Sequence, residues 1–215
     1  MHLLTELMHL QLPYQLDIAV VNDCSTDNTL AVVRQFNLII LNLPVNLGIG
    51  GAVQTGYKYA YRNNYDLAVQ MDGDGQHPPT ELHKLLKHLE ATQANVVIGS
   101  RFILKEGFQS SALRRSGIAY FYRLNHLFTG KRILDSTSGF RLFDKKAIAI
   151  AAENYPDEYP EPESLVAFAK AGLHIEEIPV VMKGRQGGQS SIRSLSSLYY
   201  MIKVTLAMFF AYIRK

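Results

Sequence analysis

Val69-Gln70-Met71-Asp72-Gly73-Asp74-Gly75-Gln76-His77-Pro78-Pro79 is the stretch around which the chain is read. The run over residues 67–71 ends in two aspartates separated by one glycine, which predicts a buried strand feeding a tight turn. Asp72 and Asp74 then point toward one site at the carboxyl edge of a sheet. Two carboxylates that close repel each other unless a cation lies between them. With Gln76 as a neutral third donor, the all-oxygen set suits Mg2+ or Mn2+, ions that keep positions open for substrate phosphates. The competing reading is a solvated acidic turn. A calcium EF-hand loop does not fit: counting from Asp72, the sixth position is His77 rather than Gly, and the twelfth is His83 rather than Glu.

Outward from that stretch, strand and helix patterns alternate. Residues 1–12 carry apolar side chains at helical spacing. Residues 17–21 form a β-rich run closing in the polar turn 22–29, where Asp27 or Ser25 suits the N-cap of a helix over 29–36. A strand over 38–41 follows, then a glycine-rich loop over 46–51 and a helix over 52–61. Pro78-Pro79 opens a helix over 80–92 with Leu82, Leu85, Leu86 and Leu89 as its apolar stripe. A strand over 95–99 ends in Ser100-Arg101. This order predicts an α/β fold, a mostly parallel sheet covered by helices. Ligands of such sheets bind outside the carboxyl ends of the strands. The turns at 22–27, 72–76 and 100–101 share that edge.

Gly48-Ile49-Gly50-Gly51-Ala52-Val53 lacks the last small residue of a dinucleotide loop, and Tyr57 stands where a P-loop needs Lys. What remains is a loop whose backbone N–H groups can approach a nucleotide, or a plain turn. Beyond Arg101 the alternation weakens. Residues 108–115 read as a mobile basic loop, 116–128 as a helix, and 135–143 as a polar turn entering a strand. A helix over 164–171 and an edge strand over 175–182, marked by Pro179, come next. Residues 185–191 form a loop carrying one strong cation, Arg185.

The 215 residues make one sizeable domain or a domain with an appendage, and 47% hydrophobic with 19% charged residues argues for a folded core. A net charge of +3 is too mild to point to nucleic acid. The single cysteine, Cys24, excludes an internal disulfide and suits a reducing cytosol. No secretory pattern opens the chain, and no stretch reaches the apolar length of a spanning helix. The tail over 194–215 is the most apolar segment. Lys203, Arg214 and Lys215 bracket it and Tyr199, Tyr200 and Tyr212 lie near its ends, the pattern of an amphipathic interfacial helix. A core or oligomer-interface helix is the other reading, which leaves a homo-oligomer open.

Taken together, the turns resemble a known family. Val21-Asn22-Asp23-Cys24-Ser25-Thr26-Asp27, Asn46-x-Gly48 with Ala52 and Gly56, Asp72-Gly73-Asp74-Gly75-Gln76-His77, Gly99-Ser100-Arg101, Ser138-Gly139-Phe140-Arg141 and Arg185-x-Gly187-Gly188-x-Ser190-Ser191 occur in this order. The set resembles the family 2 glycosyltransferases of GT-A (Rossmann-like) fold, near the dolichol-phosphate mannosyltransferase branch. The resemblance implies a GT-A domain over 1–193 followed by the apolar helix 194–215. It implies that Asp23 bonds the nucleotide base, with Asn46 and Gly48 beside it. Asp72, Asp74 and Gln76 would hold Mg2+ or Mn2+ against the diphosphate of a UDP- or GDP-hexose. Arg101, Arg141 and Arg185 would grip that diphosphate or an acceptor phosphate. Glu161 or Glu163 would face the sugar.

The implied reaction is inverting hexosyl transfer to a polyprenyl phosphate of the dolichol or undecaprenyl type. The implied location is the cytoplasmic, inner face of the membrane, as a peripheral enzyme. An anionic phosphate acceptor needs no strong base; a sugar hydroxyl in a cell-surface polysaccharide needs Glu161 or Glu163 as one. The remaining alternative is a non-catalytic binding subunit. Family members usually begin with an apolar mid-sheet strand, whereas Met1 already stands in what resembles the following helix. Lack of that strand implies unpaired backbone groups and a poorer base pocket.

Overall fold

The structure is a computed structural model describing residues 2–104, 112–184 and 196–214, with the side chains of 112–116, 196–198 and 200 outside the description. Helix α1 (His2–Met8) leads to strand β1 (Ala19–Asn22), helix α2 (Thr29–Val33) and strand β2 (Ile39–Asn42). Helix α3 (Gly48–Arg62), strand β3 (Leu67–Gln70), a 3-10 turn (Pro79–Glu81) and helix α4 (Leu82–Thr92) follow. Strand β4 (Val96–Ser100), helix α5 (Ala112–Thr129), strand β5 (Arg141–Asp144) and helices α6 (Lys145–Glu153) and α7 (Pro160–Lys170) come next. Strand β6 (Ile175–Pro179) and helix α8 (Ser196–Ile213) complete the order. Part of the basic segment 108–115 lies outside the described residues; Ala112–Arg115 is helical.

The strands form two separate sheets, β1–β2 and β3–β5–β4–β6. β1 and β2 are parallel, as are β4 and β6. The expected mostly parallel sheet is nevertheless incorrect. β5 lies between β3 and β4 and runs antiparallel to both, with Gln70 opposite Arg141 and Val97 opposite Leu142. The reason for the error is in the residues. Arg141, Leu142 and Phe143 are all buried, so β5 has the two-sided burial of a parallel core strand, and periodicity gives a strand's faces but not its direction. The edge position expected from Pro179 holds, since β6 flanks only β4. The expected cap is not Asp27 or Ser25: Asn28 takes the N-cap position of α2 with no side-chain cap bond, while Asp27 Oδ1 accepts the Thr29 N–H at 2.9 Å in an Asx turn just ahead of it.

Alternation along β4 and β5 divides the core into two layers. Val96, Ile98 and Phe143 face Tyr57, Ala147, Ile148, Leu165 and Phe168 beneath α3, α6 and α7. Val97 and Leu142 face Leu82, Leu85, Leu86 and Ile178 beneath α4. Tyr57 stacks on Phe143 with ring centroids 4.7 Å apart, and Phe168 meets the same ring edge-on. Both phenyl contacts add to the burial that holds the layer. A third cluster, Phe121, Val166, Val204 and Met208, fastens α8 onto α5 and α7. One face of α8 is therefore packed core. The other exposes Tyr199, Ile202, Leu206, Phe209, Phe210, Tyr212 and Ile213. Among the described residues no helix is long and apolar enough to cross a membrane.

Helix α3 connects the two sheets. Gly56 lies against Val21 of β1 and Tyr57 against Phe143 of β5. Below it, the Tyr65 hydroxyl donates to Asp17 Oδ2 at 2.7 Å, and the attached carboxylate pushes that phenol up to about 12. No strand pairing joins β1 to β3.

Candidate functional site

The acidic hairpin is held from several sides. Gly75 takes a positive φ of 74°, which glycine adopts without a Cβ penalty. Asp74 Oδ1 accepts the Gln76 N–H at 3.0 Å, an Asx turn that fixes the tip. Asp72 N–H donates to His77 Nδ1 at 3.3 Å, and the His77 ring is buried on Phe140 at 5.1 Å. Burial holds the His77 imidazole below its usual range, against the pull of Asp72 and Asp74. The ring is thus a neutral acceptor for the loop. Lys183 N–H donates to Gln76 O at 3.0 Å and anchors the hairpin to the chain beyond β6.

The donor set tests the expected metal. Among the described residues no group of three or more His, Cys, Asp or Glu side chains is placed to hold an ion. Asp72 and Asp74, with the amide oxygen of Gln76, would offer an all-oxygen set with two charges. That fits Mg2+ or Mn2+, which bind through one or two carboxylates and take further ligands from phosphates.

Asp23, Asn46 and Gly48 come together at the start of α3. Asp23 Oδ1 accepts the Leu47 N–H at 2.7 Å, Asn46 Nδ2 donates to Asp23 O at 3.2 Å, and Asn46 Oδ1 accepts the Gly48 N–H at 3.0 Å. Gly50 N–H donates to Asp157 O at 2.9 Å. The glycine segment is therefore the first turn of a helix rather than a flexible loop. Its N–H groups at Leu47, Gly48 and Gly50 are already used within the protein, which removes them from phosphate binding. The Gly50 contact is close: a Cβ there would lie 2.0 Å from Pro156 O.

The three arginines part company. Arg101, at the end of β4, is bound by the fully buried Asp135: Nε donates to Oδ2 at 2.7 Å and Nη2 to Oδ1 at 2.6 Å. Nη2 also reaches Thr137 Oγ1 at 3.1 Å. Burial opposes the charge on Arg101, but Asp135, then Asp72 and Glu161, hold its pKa above the usual value. Arg141 is fully buried and donates to Ser138 O, Ser164 Oγ, Ser136 O and Glu161 O at 2.8–3.0 Å. It clamps the 136–138 turn to the start of α7. Arg185 lies outside the described residues.

The two glutamates of α7 have different surroundings. Burial raises the Glu161 carboxyl; Arg141 opposes the rise and Asp72 adds to it. Burial also raises Glu163, with Asp157 adding and Arg214 opposing. Glu161 thus shares the field of Asp72, while Glu163 is directed toward the end of α8. Gly139 borders the same space: a Cβ on it would lie 3.1 and 3.2 Å from the Asp72 carboxylate oxygens.

Several residues of this site escape the sequence reading. Asp135 looks like one more polar turn residue, yet its burial and its grip on Arg101 make it the base of the site. Glu177 on β6 accepts the Leu134 and Asp135 N–H groups at 2.8 and 2.6 Å and shapes that turn. Gln70, with Tyr57 and Tyr155 on its amide oxygen, is a buried polar group inside an apolar strand. A glutamine amid Leu67, Ala68, Val69 and Met71 was the available signal, since a buried amide needs partners.

Comparison with known proteins agrees with this geometry. The model of "Glycosyl transferase family 2" matches residues 3–149. The chain is 29% identical over 187 residues to the UDP-N-acetylglucosamine–dolichyl-phosphate N-acetylglucosaminyltransferase of Methanococcus voltae, covering 76% of this chain and 73% of that one. It is 27% identical over 188 residues to the undecaprenyl-phosphate mannosyltransferase of Micrococcus luteus, covering 82% and 75%. The glucosyl-3-phosphoglycerate synthase of Mycobacterium tuberculosis, solved with Mn2+, UDP-glucose and phosphoglyceric acid, superposes with a TM-score of 0.59 at 17% identity. That match covers 90% of this chain and 67% of the other and shows the GT-A-like fold; the structure matched contains a divalent ion, the cofactor class expected here. An aspartate hairpin and an aspartate-held arginine at one sheet edge, with a half-buried glutamate beside them and a family model spanning most of the chain, make this the catalytic domain of a family 2 glycosyltransferase.

Proposed function

We propose that the domain moves a hexose from a UDP- or GDP-sugar to a phosphate-bearing acceptor. The observation that carries this is the approach of Asp72 and Glu161 to one another about Gly139 and the Gln70 amide, with Arg101, held by Asp135, at the end of β4. Asp72, Asp74 and Gln76 would hold Mg2+ or Mn2+, which supplies charge neutralisation for the diphosphate leaving group. Arg101, pre-set by Asp135, offers fixed positive charge without reorganisation at the moment of transfer. Asp23 is the candidate for the base end of the donor. Glu161 is the better placed of the two acids for the sugar.

The finer reading is a polyprenyl phosphate acceptor at a membrane surface. Support comes from the names of the two relatives and from α8, whose outward face presents Ile202, Leu206, Phe209, Phe210 and Ile213 between Tyr199 and Tyr212. Such a face binds at the headgroup boundary. The raised carboxyl of Glu161 favours a second reading, a hydroxyl on a phosphate-bearing acceptor, because a carboxylate that readily takes a proton suits a general base.

Turnover assays read by product mass test both. Polyprenyl phosphate and a phosphorylated small hydroxy acid would be offered with UDP- and GDP-hexoses and Mn2+. Lipid-linked product with near-normal transfer by Glu161→Gln supports the lipid phosphate. Transfer to the hydroxy acid, lost in Glu161→Gln, supports the hydroxyl. No product from any pair rejects the transfer reading.

A further inference from the structure

Gln70 is buried at 7% exposure at the last position of β3, two residues before Asp72 and therefore on the same face of the chain. Its amide oxygen accepts two phenol hydroxyls, Tyr155 at 3.1 Å and Tyr57 at 3.3 Å. Both tyrosines are buried, and burial lifts both phenols well above their ordinary range, so each keeps the proton it donates. In this sense of the amide both phenols donate to the oxygen, and no amide oxygen is set against a carboxylate. The nitrogen must face the other way, and there it meets Glu161 Oε1 at 3.4 Å. A Cβ on Gly139 would lie 3.2 Å from that same nitrogen and 3.1 Å from Asp72 Oδ1. The Gln70 N–H group thus stands at the point where the Glu161 and Asp72 carboxylates approach one another. Arg101 and Arg141 also act on Glu161, but Arg101 is bound to Asp135, and Arg141 donates to backbone carbonyls and Ser164, taking from Glu161 only its carbonyl.

We infer that Gln70 is a positioning residue: Tyr57 and Tyr155 lock its amide so that its N–H holds the Glu161 carboxylate toward the sugar subsite and apart from Asp72. A reversed amide would set its oxygen against the Glu161 and Asp72 carboxylates and lose the N–H contact to Glu161 Oε1, so the carboxylates favour the sense in which the phenols donate to the oxygen. The role rests on the reading that Glu161 faces the transferred sugar, and it extends the site one shell inward to residues of the strand and of the α6–α7 connection.

Gln70→Met, which keeps the length and removes the amide, is the decisive variant. The expected result is donor binding within about twofold of the parent by calorimetry with Mn2+, together with a fall in kcat of about 10- to 100-fold. The Glu161 carboxyl resonance, assigned with Glu161→Gln and followed by carbon NMR, should titrate about one pH unit higher once its donor is gone. Tyr155→Phe, which leaves the fold with a smaller change, should shift both readings in the same direction by less. An unchanged kcat, or a higher KM alone with an unmoved Glu161 titration, overturns the inference. If Gln70→Met does not fold, Tyr155→Phe and Tyr57→Phe decide by the same two readings. If no donor and acceptor turn over at all, the transfer reading fails, and the Glu161 titration, which needs no turnover, still decides for or against Gln70.

Discussion

Asp135 holds Arg101 at two points, with Nε and Nη2 of the guanidinium on its two carboxylate oxygens at 2.7 and 2.6 Å. Asp135 is fully buried and the Arg101 side chain is 12% exposed. Removing one partner strands the other charge in the interior. Asp135→Ala should therefore cost about 3–5 kcal/mol of stability, and Arg101→Ala a comparable amount. Arg101→Lys should lose much of the grip as well, because an ammonium cannot make the two-point bond. Urea denaturation of the three variants checks this, and a loss under about 1 kcal/mol would place the pair with ordinary surface ion pairs.

Asp72→Asn and Asp74→Asn remove charge without changing shape. Both should stay close to the parent's denaturation midpoint, since the bonds that shape the hairpin, Asp72 N–H to His77 Nδ1 and Gln76 N–H to residue 74 Oδ1, survive the change. Donor turnover with Mn2+ should fall by about 100- to 1,000-fold. Calorimetry with UDP- and GDP-hexoses, with and without Mn2+, separates loss of the ion from loss of the nucleotide: the mutants should bind donor no better with Mn2+ than without.

Glu177 provides a pH signature. Burial raises its carboxyl above the usual 4.5, with the Leu134 and Asp135 N–H bonds opposing and the Asp135 charge adding. A carboxyl whose folded pKa lies above its unfolded one favours folding most below the unfolded value. That contribution declines as pH rises from about 4.5 through the folded pKa and is then constant. The parent's urea midpoint should carry this downward slope as pH rises above about 4.5, and Glu177→Gln should flatten it. A variant with the same slope as the parent would assign the effect elsewhere.

Gly50→Ala should be among the most damaging single methyl additions in the chain. The new Cβ would lie 2.0 Å from Pro156 O and 2.2 Å from Asp157 O, both backbone atoms that cannot rotate away. A loss of about 3 kcal/mol or more is expected by thermal or urea denaturation. Gly48→Ala makes the control: no atom lies within 4 Å, so only the strain of its φ of 76° acts, at about 1 kcal/mol.

Much of the catalytic edge is legible in the sequence because its turns are local. Asp-Gly-Asp-Gly-Gln-His after an apolar run specifies a strand, a turn and the chemistry at its tip, and Asp27 braces the turn before α2 by accepting the Thr29 N–H. What the sequence conceals is set by distant contacts. The direction of β5 depends on a chain that leaves β4, passes through α5 and re-enters between two earlier strands, and nothing in Arg141-Leu142-Phe143 encodes that return. Arg141 and Arg101 look alike as cations after polar turns. Only folding shows one spent on carbonyls and the other held by Asp135. Likewise the first turn of α3 reads as a loop open to a nucleotide, or a plain turn, until Asp157, more than a hundred residues on, is seen to take the Gly50 N–H.

The gap between β1 and β3 gives the donor an unusual task. Asp23 follows β1, and Asp72 and Asp74 follow β3, so a nucleotide-sugar bound as proposed would have its base on one side of a seam and its diphosphate on the other. Helix α3 is then a hinge pin, and the spacing between the two ends of the ligand is set by how stiffly that pin holds. Donor binding should draw the flanks together and slow amide exchange in Ala19–Asn22 more than in Val96–Ser100, which the larger sheet already protects.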